Sequence, residues 1–121
     1  MEKQLTRAEE DIMQQLWALG PSFLRPLVDS FGNNGPHQNT VATILKTLHH
    51  KGFVQIEAIG RNHLYKPTIS KEQYGKQSAN KLINNYFKGS IGEMVSFFAQ
   101  DKRITVQELE ELLNELKKQQ P

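Results

Sequence analysis

Sequence signals for helix starts constrain the possible fold of this chain more than any other feature. A Ser or Thr followed three residues later by Glu or Gln forms a capping box, in which the two side chains pair with free backbone N–H groups of the first turn. Each copy of the pattern precedes an apolar repeat of helical period. The copies are Thr6/Glu9, Ser70/Gln73, Ser90/Glu93 and Thr105/Glu108. The chain is therefore predicted to be mainly α-helical.

Six helices are expected from these starts and from the apolar periodicity. The helix at 24–32 contains Pro26, which a helix tolerates in its first turn because the first N–H groups have no internal partner. The helix at 38–51 should end at Gly52, since glycine adopts the left-handed conformation that follows many helices. The predicted ranges are 6–19, 24–32, 38–51, 70–88, 90–100 and 105–118.

A β-hairpin is expected after the third helix. Residues 53–59 alternate in polarity, residues 63–69 form a second extended segment, and Gly-Arg-Asn at 60–62 predicts a tight connection. Pro67 lacks a backbone N–H and suits a strand end or a sheet edge. Three helices and a hairpin are the elements of a winged helix-turn-helix. The predicted fold is thus mainly α with a small β-hairpin, and its winged-helix domain spans 1–69.

The composition excludes several classes of protein. The 121 residues include no cysteine, which removes disulfides, thiolate metal sites and cysteine catalysis. No apolar run suggests a signal peptide or approaches the roughly 18 residues of a membrane span, so we expect a cytoplasmic protein without membrane insertion. No catalytic motif is recognisable and no two histidines stand at an i, i+4 spacing. We therefore expect no enzyme, no cofactor and no metal site.

One face of the third predicted helix is unusual for a solvated surface. An apolar stripe of Val41, Ile44, Leu45 and Leu48 should bury against a core. The opposite face carries small, hydrogen-bonding residues where an exposed face usually carries more Glu, Lys and Arg. Small side chains let a helix approach the major groove, while Thr and Lys contact base edges and phosphates. The candidate DNA contacts, with an arginine at the hairpin tip, are Gln38, Asn39, Thr40, Ala42, Thr43, Lys46, Thr47 and Arg61.

The charge distribution agrees with an anionic partner. The net charge is only +2, but residues 36–69 carry four cations and one acid. These are Lys46, Lys51, Arg61, Lys66 and Glu57. Two alternatives stay open: a merely exposed helix face, and a winged helix that acts as a protein-binding adaptor without DNA.

Residues 70–121 carry more large apolar side chains than three small helices bury alone. A second copy of the chain would cover them, so we predict a helical dimerisation domain at 70–121. Packing against the winged helix is the alternative. The candidate dimerisation residues are Leu82, Ile83, Tyr86, Phe87, Val95, Phe98, Leu109, Leu112, Leu113 and Leu116.

Four stretches of the sequence resemble a known family, the BlaI/MecI penicillinase repressors. "NTVATILKTLHHKGFV" at 39–54 and "GRNHLYKP" at 60–67 are similar to the family's core through their Thr spacing, Leu-x-x-Leu, Gly-Arg turn and Tyr-x-Pro. "LTRAEEDIMQQLW" at 5–17 and "ITVQELEELLNELKK" at 104–118 are similar to its first and last helices. The resemblance covers nearly the whole chain.

The resemblance implies a homodimeric transcriptional repressor that binds a two-fold-symmetric DNA operator. Many members are inactivated when a protease linked to a membrane sensor of β-lactams cuts the helical half. The family's Asn–Phe cleavage site corresponds to Phe97–Phe98 here. Where basic residues are common in the family, this chain has Asn39, Ala42 and Thr47, which implies weaker phosphate contact or a different operator.

Overall fold

The computed structural model describes residues 4–119, apart from the side chains of Leu116 and Gln119. The chain divides into two compact units, Met1–Gly75 and Lys76–Pro121, called the N-terminal and C-terminal units below. The elements in chain order are α1 (Arg7–Leu19), β1 (Ser22–Phe23), α2 (Leu24–Asp29), α3 (Gln38–His50), β2 (Val54–Ile59), β3 (Asn62–Pro67), α4 (Lys71–Tyr86), α5 (Ile91–Gln100) and α6 (Val106–Gln119). The predicted class, mainly α with a small β component, is confirmed.

The capping boxes begin the helices as the sequence predicts. In Thr6/Glu9 the Thr6 amide donates to Glu9 Oε1 at 2.8 Å, and the Glu9 amide donates to Thr6 Oγ1 at 3.2 Å. Ser70/Gln73 closes the same two bonds. In Ser90/Glu93 and Thr105/Glu108 the hydroxyl accepts from the glutamate amide, at 3.1 Å in both. Free N–H groups at four helix starts therefore have local partners.

The core of the N-terminal unit lies between α1, α2, α3 and the sheet. It is formed by the apolar stripes of α1 and α3 with side chains from α2 and the strands. Its buried members are Ile12, Met13, Leu16, Leu27, Val41, Leu45, Leu48, Phe53, Val54 and Tyr65. Ile44, which the apolar stripe placed in the core, is partly buried and packs against it, and so does Trp17.

The sheet has three strands where the sequence predicted a two-stranded hairpin. β3 is central and pairs antiparallel with β2 on one side and β1 on the other, in the register Ser22↔Tyr65 and Phe23↔Leu64. A strand of two residues after Pro21 has no periodicity to detect, and only its pairing with Leu64 and Tyr65, far along the chain, defines it. The wing is therefore tied to the segment between α1 and α2.

The connection between β2 and β3 is shorter than predicted. Ile59 pairs with Asn62, so the loop consists of Gly60 and Arg61 alone. Gly60 has φ of 61°, a conformation that costs a glycine little and a residue with Cβ much more. Arg61 consequently stands at the tip of the wing.

The end of α3 follows the predicted glycine signal. Gly52 has φ of 87°, its amide donates to His49 O, and the Phe53 amide donates to Leu48 O, both at 3.0 Å. These two bonds are the Schellman pattern, which satisfies the last helical carbonyls. The chain thereby turns from α3 directly into β2.

The C-terminal unit has little interior. Ile83 is its one buried residue among the side chains that the structure describes there. The rings of Phe87, Phe97 and Phe98 form a small cluster with centroids 5.4 to 6.5 Å apart. The large apolar side chains that remain exposed in this unit are Leu82, Tyr86, Ile91, Phe97, Val106, Leu112 and Leu113.

Candidate nucleic-acid interface

One face of α3 packs against the core, and the opposite face is exposed to solvent. Val41, Leu45 and Leu48 have no exposed area. Ala42, at the edge of the buried stripe, is half-buried, and the candidate DNA-contacting residues of α3 that are exposed are Gln38, Asn39, Thr40, Thr43, Lys46 and Thr47. Six of the seven candidates on this helix are therefore exposed, and the seventh, Ala42, is partly exposed.

Both ends of α3 are fixed by side chains. At the start, His37 Nδ1 accepts from the Asn39 amide at 3.2 Å. After the end, Lys51 Nζ lies 2.6 Å from Glu9 Oε1 and donates to the Gln4 carbonyl at 3.3 Å. The sequence alone does not predict this ion pair, since no pattern connects two residues 42 positions apart.

Glu9 is charged inside the fold because two partners hold it. Burial raises the pKa of Glu9, but the hydrogen bonds from Lys51 and Thr6 and the charge of Lys51 together lower it more, so this pKa lies below its ordinary value of 4.5. Only 7% of the Glu9 side chain is exposed. The carboxylate therefore joins the start of α1 to the end of α3.

Two of the four cations in residues 36–69 are neutralised within the chain. Lys51 pairs with Glu9, and Lys66 Nζ lies 2.6 Å from Glu57 Oε1 across the wing. Lys46 and Arg61 are exposed and form no ion pair within the part of the chain that the structure describes. The two cations predicted to contact DNA are thus the two that remain free.

The hydroxyl groups of α3 are not equivalent. Thr43 Oγ1 donates to the Asn39 carbonyl at 2.9 Å, and Thr47 Oγ1 donates to the Thr43 carbonyl at 3.3 Å. The Thr40 hydroxyl forms no hydrogen bond among the described residues. Identical side chains therefore offer different groups to a partner.

The histidines have structural roles where the structure shows contacts. The His49 Nδ1 atom donates to the Val54 carbonyl at 2.9 Å, and His37 caps α3. Within the described side chains, no group of three or more His, Asp or Glu residues is placed to hold a metal ion. Likewise, no described helix combines the length and the apolar character needed to cross a bilayer.

Three helices, a small antiparallel sheet and a two-residue wing loop define a winged helix-turn-helix protein. In this class the helix that α3 represents is the one that enters the major groove. The sequence profile of the family described as "Penicillinase repressor" matches residues 5–118. The chain belongs to the penicillinase-repressor family, as the resemblance predicted.

Individual relatives are similar over almost their whole length. The penicillinase repressor of Bacillus licheniformis is 23% identical over 110 residues, which are 90% of this chain and 86% of that protein. The methicillin resistance regulatory protein MecI of Mammaliicoccus sciuri is 21% identical over 116 residues, 95% of this chain and 94% of the relative. MecI of Staphylococcus aureus strain N315 gives the same values. These names describe regulators of transcription and not enzymes.

Proposed function

We propose that this protein is a transcriptional repressor that binds a two-fold-symmetric DNA operator as a homodimer. The observation that carries the proposal is the arrangement of charge around α3. Lys46 and Arg61 are free, whereas Lys51 and Lys66 are neutralised by partners in the chain. Two free cations beside a face of small polar side chains fit phosphates that flank a groove.

The side chains of this surface contact different parts of the DNA in the proposed complex. Thr40, Ala42, Thr43 and Thr47 contact base edges, and Gln38 and Asn39 bring the helix start against a phosphate. Lys46 contacts a phosphate or a guanine, and Arg61 reaches the DNA backbone from the wing. The names of the relatives, both of them repressors or regulatory proteins, support the same function.

The homodimer is supported by the exposed apolar side chains of the C-terminal unit. Leu112 and Leu113 are 56% and 52% exposed, and Tyr86 is 75% exposed. Exposed apolar patches mark interaction sites in soluble proteins, and the proposal places these side chains in such a site. Of the other predicted dimerisation residues, Leu82 is exposed, Phe87, Val95, Phe98 and Leu109 are half-buried, Ile83 is buried, and the Leu116 side chain lies outside the described residues.

Relief of repression by proteolysis completes the proposal. Phe97 and Phe98 lie in α5, with Phe97 53% exposed. A cut between them separates α6 from the rest of the apolar surface and so weakens the dimer. The relatives' names, penicillinase repressor and methicillin resistance regulatory protein, support a β-lactam or cell-envelope signal. In the proposal, a protease linked to a membrane sensor passes this signal on, and the repressor acts in the cytoplasm.

The wing contact is tested by salt titration. Arg61→Ala should weaken binding to operator and random DNA alike, and should reduce the slope of log affinity against log salt by roughly one unit. Arg103→Ala removes the same charge from the C-terminal unit, where Arg103 pairs with Asp101, and should leave the slope unchanged. Equal slopes for the two variants would remove Arg61 from the interface. Absence of any DNA binding by the wild type would instead favour the protein-binding adaptor.

A further inference from the structure

The position of each threonine in α3 decides whether its hydroxyl proton is available. A helix carbonyl four residues earlier accepts that proton readily. Thr43 and Thr47 have such a carbonyl, on Asn39 and Thr43 respectively, and use it. Thr40 is the third residue of α3, so the residue four positions before it precedes the helix. Its hydroxyl is left without a hydrogen bond among residues 4–119.

The hydroxyl proton of Thr43 is already donated within α3, and this limits which groups of DNA Thr43 can recognise. A hydroxyl has one proton to donate, and that of Thr43 lies on the Asn39 carbonyl at 2.9 Å. Donation to a base would break this bond to make another, with no net gain. The groups that Thr43 offers at no such cost are its methyl group and the lone pairs of its oxygen.

The major groove contains one apolar group that the methyl group of Thr43 can contact. Guanine presents the acceptors N7 and O6 there, so its recognition needs a donor. Thymine presents its C5-methyl group, which apolar atoms contact without any hydrogen bond. Ala42, the neighbour of Thr43 on the same helix, presents only a methyl group as well.

We infer that Thr43 recognises a thymine by contact between methyl groups, whereas Thr40 acts through its free hydroxyl. The inference rests on the proposed function, because it takes α3 to lie in the major groove. It assigns two chemically identical residues, one turn apart on one exposed face, to different kinds of recognition. The helix geometry, not the residue type, makes the difference.

Paired substitutions separate the two kinds of recognition. Thr43→Val keeps the branched shape and the methyl group, whereas Thr43→Ser keeps the hydroxyl and loses the methyl. On a dyad sequence that the full-length protein selects from random DNA, Thr43→Val should bind about as tightly as the wild type. Thr43→Ser should bind roughly three- to fivefold more weakly for each half-site, the value of one buried methyl group.

Thr40 supplies the matched control. Its hydroxyl is the group in use, so the order of the two variants should reverse, with Thr40→Val the weaker binder and Thr40→Ser the stronger one. Both substituted positions are exposed, and thermal unfolding of each of the four variants checks that the fold is kept. A loss for Thr43→Val as large as that for Thr43→Ser would overturn the inference.

The DNA partner is tested by replacing each thymine of the selected sequence, one at a time, with deoxyuridine, which lacks the methyl group. One replacement should weaken wild type and Thr43→Val by roughly three- to fivefold, and should leave Thr43→Ser unaffected. If no thymine behaves in this way, the inference is wrong while the proposed function stands. If the protein enriches no sequence at all, the proposed function fails, and the inference fails with it.

Discussion

The two units of this protein begin their helices in the same way and differ in what those helices bury. Capping boxes start α1 and α4 in the N-terminal unit and α5 and α6 in the C-terminal unit. The first unit encloses ten buried apolar side chains, whereas the second has Ile83 alone among its described side chains. Local signals therefore determine where helices begin, and they do not determine whether a unit has a core of its own. The apolar side chains of the second unit fit burial against another molecule.

The largest difference between the units should appear on removal of a leucine. Leu45→Ala deletes a side chain with no exposed area and should lower the free energy of unfolding by about 2–5 kcal/mol. Leu113→Ala, at a side chain that is 52% exposed, should change it by less than about 0.5 kcal/mol in the N-terminal unit and weaken the dimer instead. Trp17 is the one tryptophan and packs on Tyr74, so its fluorescence during urea denaturation reports on that unit.

The expected difference between the two units would be contradicted if Leu45→Ala and Leu113→Ala lowered the stability seen in the Trp17 unfolding transition by the same amount. Such a result would mean that Leu113 supports the winged helix within one chain, as in the alternative of internal packing. Sedimentation of the Leu113→Ala protein completes the measurement, because a weakened dimer with an unchanged Trp17 transition is the expected result.

Next in size is the effect of removing the C-terminal unit. The fragment 1–75 should stay folded and monomeric and should bind the operator about 10²-fold more weakly than the full chain, since it loses the effective concentration that a dimer gives its second half-site. The cut belongs after Gly75 because Tyr74 lies 5.8 Å, between ring centroids, from both Trp17 and Phe53. The fragment 1–69 lacks these contacts and should be less stable than 1–75 by about 1–3 kcal/mol.

Operator titration and sedimentation decide this prediction together. The fragment 1–97, which ends at the proposed cleavage site, should bind as weakly as 1–75. If 1–75 binds the operator as tightly as the intact protein, the C-terminal unit does not dimerise the repressor and has another role.

The smallest expected effects are the losses of stability when one ion pair is broken in each unit. Glu9→Gln breaks a pair of which the carboxylate is buried and should cost about 1–3 kcal/mol at neutral pH. Asp101→Asn breaks a pair of similar length, 2.8 Å, whose side chains are more than half exposed, and should cost about 0.5 kcal/mol or less. Unfolding of each variant by urea, followed at several pH values, measures both effects.

The pH dependence gives the sign of the Glu9 contribution. The folded pKa of Glu9 is lower than its ordinary value of 4.5, so the unfolded chain takes up the proton first as pH falls. The stabilisation is complete above the unfolded pKa and is lost as pH falls through the folded one. The gap between wild type and Glu9→Gln should therefore hold from neutral pH to about pH 5 and narrow below it. A gap that widens in acid would contradict the role assigned to Lys51.

Features of the fold with a local cause could be predicted from the sequence. Thr6 and Ser70 marked helix starts because the capping bonds join residues three positions apart. Gly52 marked a helix end for the same reason. β1 was missed because its two residues become a strand only by pairing with Leu64 and Tyr65.

The same distinction applies to the candidate interface. The exposed face of α3 follows from helical period, so its polar residues were found, and Arg61 followed from the turn. The neutralisation of Lys51 and Lys66 was not predicted, since it depends on Glu9 and Glu57 meeting them in the folded chain. Nor does residue type show that the hydroxyl of Thr43 is occupied while that of Thr40 is free; this depends on where α3 begins.

The short strand β1 affects how the protein recognises the shape of a DNA duplex. Ser22 and Phe23 tie the segment before α2 to the central strand β3, and α3 leads through Gly52 directly into β2. The wing is thereby attached to the helix-turn-helix at two places and cannot swing about a single hinge. In the proposed complex, α3 and Arg61 then touch the duplex at a set spacing. A duplex of another groove width has to bend or twist to meet both points, so the stiffness of base steps that the protein never touches contributes to operator choice.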